Sequence, residues 1–378
     1  MVKLLIMDGS SNSDIKDRFF DQTPLSVATQ NGHESTVKLL IETGKVDVNS
    51  KCNTGSTPIS IAAAKGHEAL MKLLLQNEKV NVDTKYHSGR TPLSHAANNG
   101  HETVVRLLLD TGKVDANSKD NDGHTPLCLA AIEGHEAVVK LVLETGKVDI
   151  NARDVIDRTP LFWAICRKHE AIVRLLLETR DVDVNLTDNE GVSPLSQAIK
   201  NCQKTLVKLL LAIENVDVNS RDCIQGNTPF SYALTPALSQ RDKEYMELLL
   251  ETGNVDLNCK DNDGYTPLSQ AALLGDVEVV QFLLETGQVD VNSVDNLGFT
   301  PMRWAAYQGH EEVKKLLADA TFASRGSSVT LHGDNQLKRQ LETTNIIALA
   351  FNKVGYISIQ ILNSASPSVR YLKPDLTL

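Results

Sequence analysis

The sequence predicts an all-α solenoid, a stack of short helical pairs, and three observations lead to this fold class. A Thr-Pro or Ser-Pro dipeptide returns about every 34 residues, apolar helical patterns follow it, and each unit ends in a polar segment rich in Asn, Asp and Gly. Such a period is typical of repeats that bury their apolar faces only against neighbouring repeats. The dipeptides mark nine units, beginning at Thr23, Thr57, Thr91, Thr125, Thr159, Ser193, Thr228, Thr266 and Thr300.

The spacing of these dipeptides is regular along most of the chain. It is 34 residues in six of the eight intervals, 35 residues between Ser193 and Thr228, and 38 residues between Thr228 and Thr266. This regularity is too high to arise by chance, so we treat each interval as one structural unit.

The third unit illustrates how the first helix of a unit should begin and end. Thr91 can cap the helix with its hydroxyl group, and Pro92 suits the first helical position, where a missing N–H costs nothing. Gly100 suits the left-handed residue that ends a helix, and Glu102 places negative charge in the first turn of the next helix. The segment therefore reads as a helix, a tight turn and a second helix.

The second helix and the segment after it have different characters. The apolar residues of 104–109 (V-V-R-L-L-L) cover too wide an arc for a surface helix, so adjacent repeats should pack against both sides of it. Residues 113–123 are polar and end in Gly123, as a protruding turn requires. These loops should form a row along the stack.

The residues of each unit resemble a known family, the ankyrin repeats. The resemblance is carried by T-P-L-x-x-A-A-x-x-G-H-E, then V-V-x-L-L-L, G-x-V-D-V-N and D-N-D-G, and it covers roughly residues 2–320. The unit is one residue longer than the common ankyrin unit, through the extra residue in Gly44 to Asp47, and Ser replaces the usual His after T-P-L. In both respects the chain resembles the ankyrin arrays attached to fungal NACHT-type (STAND) signalling proteins.

The resemblance implies units of two helices and a hairpin loop, and binding through a concave side made of loop tips and first-helix faces. We expect a partial repeat in residues 1–22, nine repeats in 23–320, and a non-repeat, poorly ordered tail in 321–378. The stretch from Val2 to Ile6 matches a second helix whose first helix is missing, which would fit a fragment or an alternative product. Lys314 and Ala318 replace apolar residues, as a closing repeat needs, and alternation in residues 356–361 hints at a strand.

Three units depart from the pattern. Lys168 replaces the turn glycine of the fifth unit, Cys202 and Gln203 replace Gly-His in the sixth, and the seventh has an insertion within residues 235–241. Such irregularity marks either relaxed selection on a spare repeat or loops aimed at a specific contact, and we favour the first reading because insertions fall naturally in loops.

Composition restricts the possible partners and the compartment. The chain has 38 Lys and Arg against 48 Asp and Glu, whereas a nucleic-acid surface needs clustered positive charge. The six cysteines are scattered without a C-x-x-C pair, which is typical of reduced thiols. The sequence has neither a secretory signal nor a long apolar run, so we expect a cytoplasmic or nuclear protein that binds no nucleic acid and does not insert into membranes.

Short motifs that resemble catalytic or ligand sites fail on their spacing. The His-Glu pairs lack a second His four residues after the first, the Gly-Lys pairs lack the Ser or Thr of a phosphate loop, and the Asp-Asn-Asp-Gly turns lack the terminal Glu of a calcium loop. Ser recurs after T-P-L without the G-x-S-x-G pattern. We therefore expect no catalysis, no cofactor and no metal.

Partner-binding residues should lie where the units differ, at the loop tips and on the first helices, and two groups stand out. Aromatic residues and Arg are enriched in binding hot spots, and exposed apolar patches mark interaction sites, although ordinary surface variation remains the simpler reading of each single residue. Trp163 and Trp304 are expected to pack between repeats. The middle patch comprises Tyr86, His87, Arg90, His124, Glu133, Val155, Ile156, Arg158 and Arg167, and the end patch comprises Tyr265, Leu273, Leu274, Phe299 and Tyr307.

These observations favour a monomeric scaffold that binds a protein, as the recognition part of a larger signalling protein. One alternative is a substrate-recruiting part of an enzyme whose catalytic domain lies elsewhere in the gene product. Another alternative is a gene fragment without function, suggested by the partial first repeat and the unpatterned tail.

Overall fold

The computed structural model describes residues 14–234 and 243–325, which contain eighteen helices and no strand. The helices alternate as first and second members of a pair, which confirms the all-α repeat fold. The first helices are α1 (Pro24–Gln30), α3 (Pro58–Lys65), α5 (Pro92–Asn98), α7 (Pro126–Glu133), α9 (Pro160–Arg167), α11 (Pro194–Lys200), α13 (Pro229–Ala233), α15 (Pro267–Leu274) and α17 (Pro301–Gln308). The second helices are α2 (Glu34–Glu42), α4 (Glu68–Leu75), α6 (Glu102–Asp110), α8 (Glu136–Glu144), α10 (Glu170–Glu178), α12 (Lys204–Leu211), α14 (Lys243–Leu250), α16 (Val277–Glu285) and α18 (Glu311–Arg325).

The first helices begin as the sequence predicts. In the third repeat the hydroxyl oxygen of Thr91 accepts a hydrogen bond of 3.2 Å from the backbone N–H of Ser94, and Pro92 occupies the first helical position. This satisfies one of the N–H groups that a helix start leaves without an intrahelical partner. Thr-Pro therefore sets the start of each unit.

The glycine and histidine that follow a first helix connect neighbouring repeats. Gly66 is left-handed, with φ +70°, and a Cβ there would lie 2.6 Å from the ring of His101 in the next repeat. The His101 Nε2 atom lies 3.1 Å from the carbonyl oxygen of Ala64, at the end of α3. Glycine is needed here for both its backbone angle and its lack of a side chain. Equivalent contacts join His135 to Asn98, His169 to Ile132 and His310 to Leu273.

The repeats stack helix on helix. First helices pack against first helices and second helices against second helices, for example α5 against α7 and α6 against α8. In the third repeat Leu93, Ala96, Val105 and Leu108 are fully buried between these layers. The small alanine side chain lets neighbouring first helices approach closely, so the core continues from repeat to repeat.

The hairpin loops are joined in two rows. At the tips, the backbone N–H of Val155 donates to the carbonyl oxygen of Asp122 in the preceding loop at 3.0 Å, and other tips repeat this bond. Nearer the helices, the amide of Asn117 donates to the Lys147 carbonyl oxygen at 2.9 Å and accepts from the Asp149 N–H at 2.8 Å. This asparagine bridge explains the final residue of the V-D-V-N motif, and it repeats at Asn49, Asn151, Asn185, Asn219 and Asn258.

The irregular fifth and sixth repeats keep the same backbone path. Lys168 and Cys202 adopt positive φ angles of 65° and 56° in place of glycine. Gln203 replaces the histidine, and its amide nitrogen donates to the Ile165 carbonyl oxygen at 2.8 Å. The substituted side chains therefore preserve the connection between repeats.

Several sequence predictions fall at the limits of the described chain. The partial repeat at residues 2–6, the insertion at 235–241 and the strand pattern at 356–361 lie outside the described residues. Helix α18 continues past Ala320 to Arg325, so residues 321–325, which we assigned to the tail, are helical.

Candidate partner-binding surface

An aspartate that is buried in most cases begins each described hairpin from Asp120 onwards. In the hairpin that leads into the fifth repeat, one carboxylate oxygen of Asp154 accepts hydrogen bonds from the backbone N–H groups of Ile156 and Arg158, both at 2.9 Å. These bonds fix the turn at the hairpin tip and leave the second carboxylate oxygen for a side-chain donor. The same turn forms at Asp120, Asp188, Asp222, Asp261 and Asp295.

In three hairpins this donor comes from the first helix, nine residues after the aspartate. The indole N–H of Trp163 donates to Asp154 Oδ2 at 2.7 Å, and that of Trp304 donates to Asp295 Oδ2 at 2.6 Å. Gln270 reaches Asp261 in the same way at 2.9 Å. The tryptophans, which we expected to pack between repeats, therefore also connect each hairpin to the first helix that follows it.

In the middle patch, two arginines bind the aspartate of the following repeat instead. Arg90 Nε lies 3.0 Å from Asp120 Oδ2, and Arg158 Nη2 lies 3.3 Å from Asp188 Oδ2. Both carboxylate side chains are buried, whereas the arginine side chains are about a quarter exposed. A carboxylate in this position needs a compensating charge or donor, so Arg90 and Arg158 act as connections between repeats.

His124 lies between two of these carboxylates. Its Nδ1 is 3.6 Å from Asp120 Oδ1, and its Nε2 is 3.4 Å from Asp154 Oδ2. Burial opposes protonation of the imidazole, but the nearby carboxylates of Asp120 and Asp154 outweigh it and raise the pKa of His124 to about 9. Burial also opposes ionisation of Asp120, yet His124 and Arg90 lower the pKa of that carboxyl group to about 2. The imidazolium thus forms a buried ionic bridge between two repeats.

Asp120, Asp122 and His124 also bring three potential metal-ligating atoms within 4.8 Å of one another. A metal would need a neutral imidazole with a free nitrogen. The raised pKa keeps His124 protonated at neutral pH, and Asp120 Oδ1 already accepts two backbone N–H groups. These residues therefore fit an ionic bridge better than a metal site.

A small apolar cluster, separate from the main core, lies beside this bridge. Cys128, Ile132 and Trp163 are buried in it, and the partly buried Ile156 and Cys166 pack against it. Two arginines lie over the same indole, with guanidinium carbons 5.1 Å (Arg158) and 5.8 Å (Arg167) from its ring centroid. Val155, at the adjoining hairpin tip, is 68% exposed, and Arg167 and Glu133 are also exposed.

The end patch is built from aromatic contacts. Trp304 is surrounded by Tyr265, Phe299 and Tyr307, with centroid distances of 5.5, 4.9 and 5.9 Å. Arg303 lies 4.0 Å above the Phe299 ring. Leu274 is 47% exposed and Tyr307 51% exposed, whereas Leu273 is partly buried.

The first residues of the middle patch, in the hairpin that leads into the third repeat, form a separate small contact. The Tyr86 ring is partly buried and lies 4.2 Å from the ring of His95, whereas His87 is exposed. Burial, together with the charge of Arg90, lowers the pKa of His95 to about 4. His95 is therefore neutral at physiological pH, and Tyr86 packs on an uncharged ring.

A cavity of about 490 Å³ lies away from both patches, beside the second helices α6 and α8. Its lining includes the cations Arg106 and Lys147 and the anions Asp110, Asp115 and Glu144. The opposite charges are mixed along an open surface, which is not the convergent polar arrangement of a small-molecule site.

A comparison with protein families decides the family of the chain. Residues 1–86, 78–154, 148–222 and 234–325 match the family described as ankyrin repeats (3 copies). The chain belongs to the ankyrin-repeat family. No curated protein matches the chain in sequence.

Ankyrin repeats are generally protein–protein interaction modules and are typically non-enzymatic binding scaffolds. In this ankyrin array, none of the helices in residues 14–234 and 243–325 is long and apolar enough to cross a bilayer. Membership of this family implies that the partner of the surface described above is a protein.

Within the ankyrin array, the structure divides the predicted site residues into two kinds. Arg90, His124 and Arg158 connect repeats, whereas the side chains of Val155 and Tyr307 are mainly in solvent. Sequence reasoning did not select the exposed Lys168, Lys200 and Leu297 or the buried Ile132, which lie at the loop tips and first-helix ends of their repeats. Alignment of each repeat at its Thr-Pro dipeptide would have found Lys200, Leu297 and Ile132, because they occupy the same variable positions as the selected residues, whereas Lys168 stands at the position of the turn glycine.

Proposed function

We propose that this ankyrin array binds a protein partner through its hairpin tips and the exposed ends of its first helices. The observation that carries the proposal is that exposed side chains on this face differ from repeat to repeat and take no part in the connections between repeats. They are Val155, Arg167, Leu274, Leu297 and Tyr307.

The connections below this face favour tight binding. The tips are joined by backbone hydrogen bonds, and the aspartates fix each hairpin to a first helix, as Asp154 does with Trp163. Contact residues held by rigid elements lose little conformational entropy when a partner binds. Arg90, His124 and Arg158 contribute in this proposal by fixing the surface rather than by touching the partner.

The surface is best tested by site-specific photo-crosslinking in a cell extract. A benzophenone amino acid is placed at Val155 or Tyr307, and the matched controls carry it at Ala137 or Ala171, exposed residues of α8 and α10. The proposal expects one discrete crosslinked protein from Val155 or Tyr307, identified by mass spectrometry, that the control positions do not give. Equal or stronger crosslinking from Ala137 and Ala171 would place binding on the second helices and refute it.

We also propose that the chain is a monomer without catalytic activity and that it serves as the recognition part of a larger signalling protein in the cytoplasm. The extra residue in Gly44 to Asp47 and the Ser after T-P-L support the signalling context through their likeness to arrays of NACHT-type proteins. Sequencing of the full transcript tests this context, since the proposal expects a nucleotide-binding domain in the same reading frame. Sedimentation velocity tests the monomer, and a dimer that Tyr307→Asp dissociates would show the end patch to be a self-association surface.

A further inference from the structure

The fourth to sixth repeats carry a surface that combines an apolar floor with cations. We name it the cationic face and define it by Ile132, Ile156, Trp163, Cys166, Arg167 and Lys200. We propose that it binds an acidic peptide segment of a protein partner, with carboxylates on Arg167 and Lys200 and an apolar side chain on the floor between them. This inference rests on the proposed function and specifies the chemistry of its partner.

The floor is the apolar cluster that lies outside the main core. Trp163 and Ile132 are buried in it, whereas Ile156 and Cys166 are only partly covered by the chain itself. The Trp163 ring is held in place by the hydrogen bond from its indole N–H to Asp154. A rigid, partly open apolar floor of this kind gains free energy when an apolar side chain covers it.

The cations converge on one edge of that floor. Burial raises the pKa of the Cys166 thiol and the negative charge of Asp188 adds to this, while the positive charges of Arg158, Arg167 and Lys200 act in the opposite direction. All four charged groups therefore lie within electrostatic range of one sulfur atom. Arg158 is bound to Asp188. Arg167 and Lys200 are exposed and have no ion pair with the residues that the structure describes.

Aromatic rings hold these two cations in position. The Arg167 guanidinium carbon lies 5.8 Å from the centroid of Trp163, and Lys200 Nζ lies 4.9 Å from the centroid of Tyr232. Cation–π contacts of this length restrict the side chains without neutralising their charge. Both cations therefore remain available for a carboxylate of a partner.

Charge complementarity selects the peptide. The whole chain has a formal net charge of −10, so a cluster of unpaired cations is a local exception that attracts an anionic group. The exposed Lys168 follows Arg167 and adds to it, whereas the exposed Glu133 follows Ile132 on the other border. This polarity places the carboxylates of the peptide towards the sixth repeat. The apolar floor favours an acidic, partly apolar peptide over a nucleic-acid strand, whose denser phosphate charge the net negative chain repels more strongly.

The probe for the test is a fluorescein-labelled peptide of alternating glutamate and leucine, measured by fluorescence anisotropy against the whole chain. Arg167→Glu combined with Lys200→Glu should weaken its binding about tenfold or more, since two ion pairs become repulsions. The matched control is Lys72→Glu combined with Lys140→Glu, which makes the same change in net charge on the exposed sides of α4 and α8. The control should bind within about twofold of the unmodified chain, because the Debye length at physiological salt is about 8 Å. Circular dichroism verifies that both variants fold.

Two further probes separate the apolar and anionic contributions. A serine–leucine peptide and a glutamate–serine peptide should each bind at least about tenfold more weakly than the glutamate–leucine peptide, and Ile156→Ser should weaken only probes that contain leucine. Equal loss of binding in the control variant would overturn the proposal. It would also be overturned if oligothymidylate competed as well as the acidic peptide, which would indicate a general polyanion site.

The failure of this inference differs from the failure of the proposed function. If the glutamate–leucine peptide does not bind but the benzophenone at Val155 still crosslinks one protein, the surface is correct and its acidic partner chemistry is wrong. If neither signal is present, both proposals are wrong.

Discussion

The middle patch and the end patch occupy equivalent positions of the ankyrin unit but are held together by different interactions. Two residues before the helix-starting proline, the middle patch has Arg90, His124 and Arg158, which form ion pairs with aspartates of the next repeat. The end patch has Tyr265 and Phe299 at this position, and both rings pack around Trp304. A variable position can therefore serve the array itself, so variation between repeats does not by itself identify a contact with a partner.

The two regions also differ below the surface. In the end region Gly275 accommodates the ring of His310, and a Cβ at Gly275 would lie 2.5 Å from that ring. In the middle region Lys168 and Gln203 stand at the same two positions and make a different connection. This junction of the middle region thus depends on an amide group, whereas the equivalent junction of the end region depends on the packing of a histidine ring. Four sets of substitutions test the connections in the two regions.

Substitution of a hairpin aspartate should reduce the free energy of unfolding more than the other substitutions do, and the reduction should be larger in the middle region than in the end region. Asp154→Ala removes the acceptor for Trp163 and two backbone N–H groups and also leaves His124 with one carboxylate fewer. We expect it to lower the free energy of unfolding by about 3 kcal/mol, because buried donors and a charge lose their partner. Asp295→Ala also leaves three donors without their acceptor, but Asp295 forms no ion pair with the described residues. Its substitution should therefore lower the free energy of unfolding by about 2 kcal/mol. Urea unfolding followed by circular dichroism measures both, and equal losses would mean that the His124 charge adds nothing.

The ionic bridge should make the middle region sensitive to alkaline pH. The pKa of His124 is raised from 6.5 to about 9, so its stabilisation is fully present below the unfolded value and disappears as pH rises through the folded value. The advantage of the unmodified chain over His124→Gln should therefore shrink by about 2 kcal/mol between pH of about 6 and about 9. Urea midpoints at both pH values give this difference. Phe299→Gln, the equivalent change in the end patch, is the control, and it should lower the free energy of unfolding by the same amount at both pH values.

The fold was predictable from the sequence because local rules determine it. Thr91 and Pro92 mark a helix start within four residues, Gly100 marks its end, and the apolar pattern of residues 104–109 indicates packing on both sides. Each of these signals acts on adjacent residues, so a single unit carries it. Repetition then reinforces the same signals along the chain.

The connections between repeats were not predictable in the same way. The contact of His101 with Ala64 joins residues 37 apart, and that of Arg90 with Asp120 joins residues 30 apart, so no single unit contains both partners. We considered the histidines only as parts of an incomplete zinc motif and placed Arg90 among the partner contacts. At a variable position, a side chain that contacts the neighbouring repeat can be distinguished from one that remains in solvent only when the structure of that repeat is known.

The Lys168 and Gln203 pair should show strong coupling when it is converted to the pair used in the end region. Gln203→His alone should lose about 1 kcal/mol, since its ring would meet the Cβ of Lys168, much as a Cβ at Gly134 would lie 2.6 Å from His169. Lys168→Gly removes that Cβ and relieves the positive φ of 65°, so the double variant should be at least as stable as the unmodified chain. A double-mutant cycle in urea should give a coupling of about 1 to 2 kcal/mol. A coupling near zero would show that the two positions are independent and that the irregular region tolerates either pair.

The asparagine bridge common to both regions offers the smallest and most specific test. Asp83 stands where other hairpins have asparagine, and its buried Oδ1 lacks a hydrogen-bond partner. Burial raises the pKa of Asp83, and the neighbouring carboxylate of Asp115 adds to this effect, although a backbone N–H of Asp115 opposes it. An ionised carboxylate cannot donate as the amide of Asn117 does to Lys147. Asp83→Asn should therefore raise the free energy of unfolding by about 1 kcal/mol at neutral pH.

The pH dependence of this gain separates a restored bridge from a general removal of charge. Because the pKa of Asp83 is raised in the folded chain, protonation of this carboxyl group favours folding. The ionised carboxylate therefore lowers the free energy of unfolding above its folded pKa, and this loss fades as pH falls through that pKa. The advantage of Asp83→Asn should accordingly shrink towards pH of about 4. Asp115→Asn, which removes an exposed charge from the next hairpin, should give less than half the gain. Equal gains in the free energy of unfolding from the two variants would show that repulsion between the carboxylates, and not the missing donor, limits the stability of the junction between the second and third hairpins.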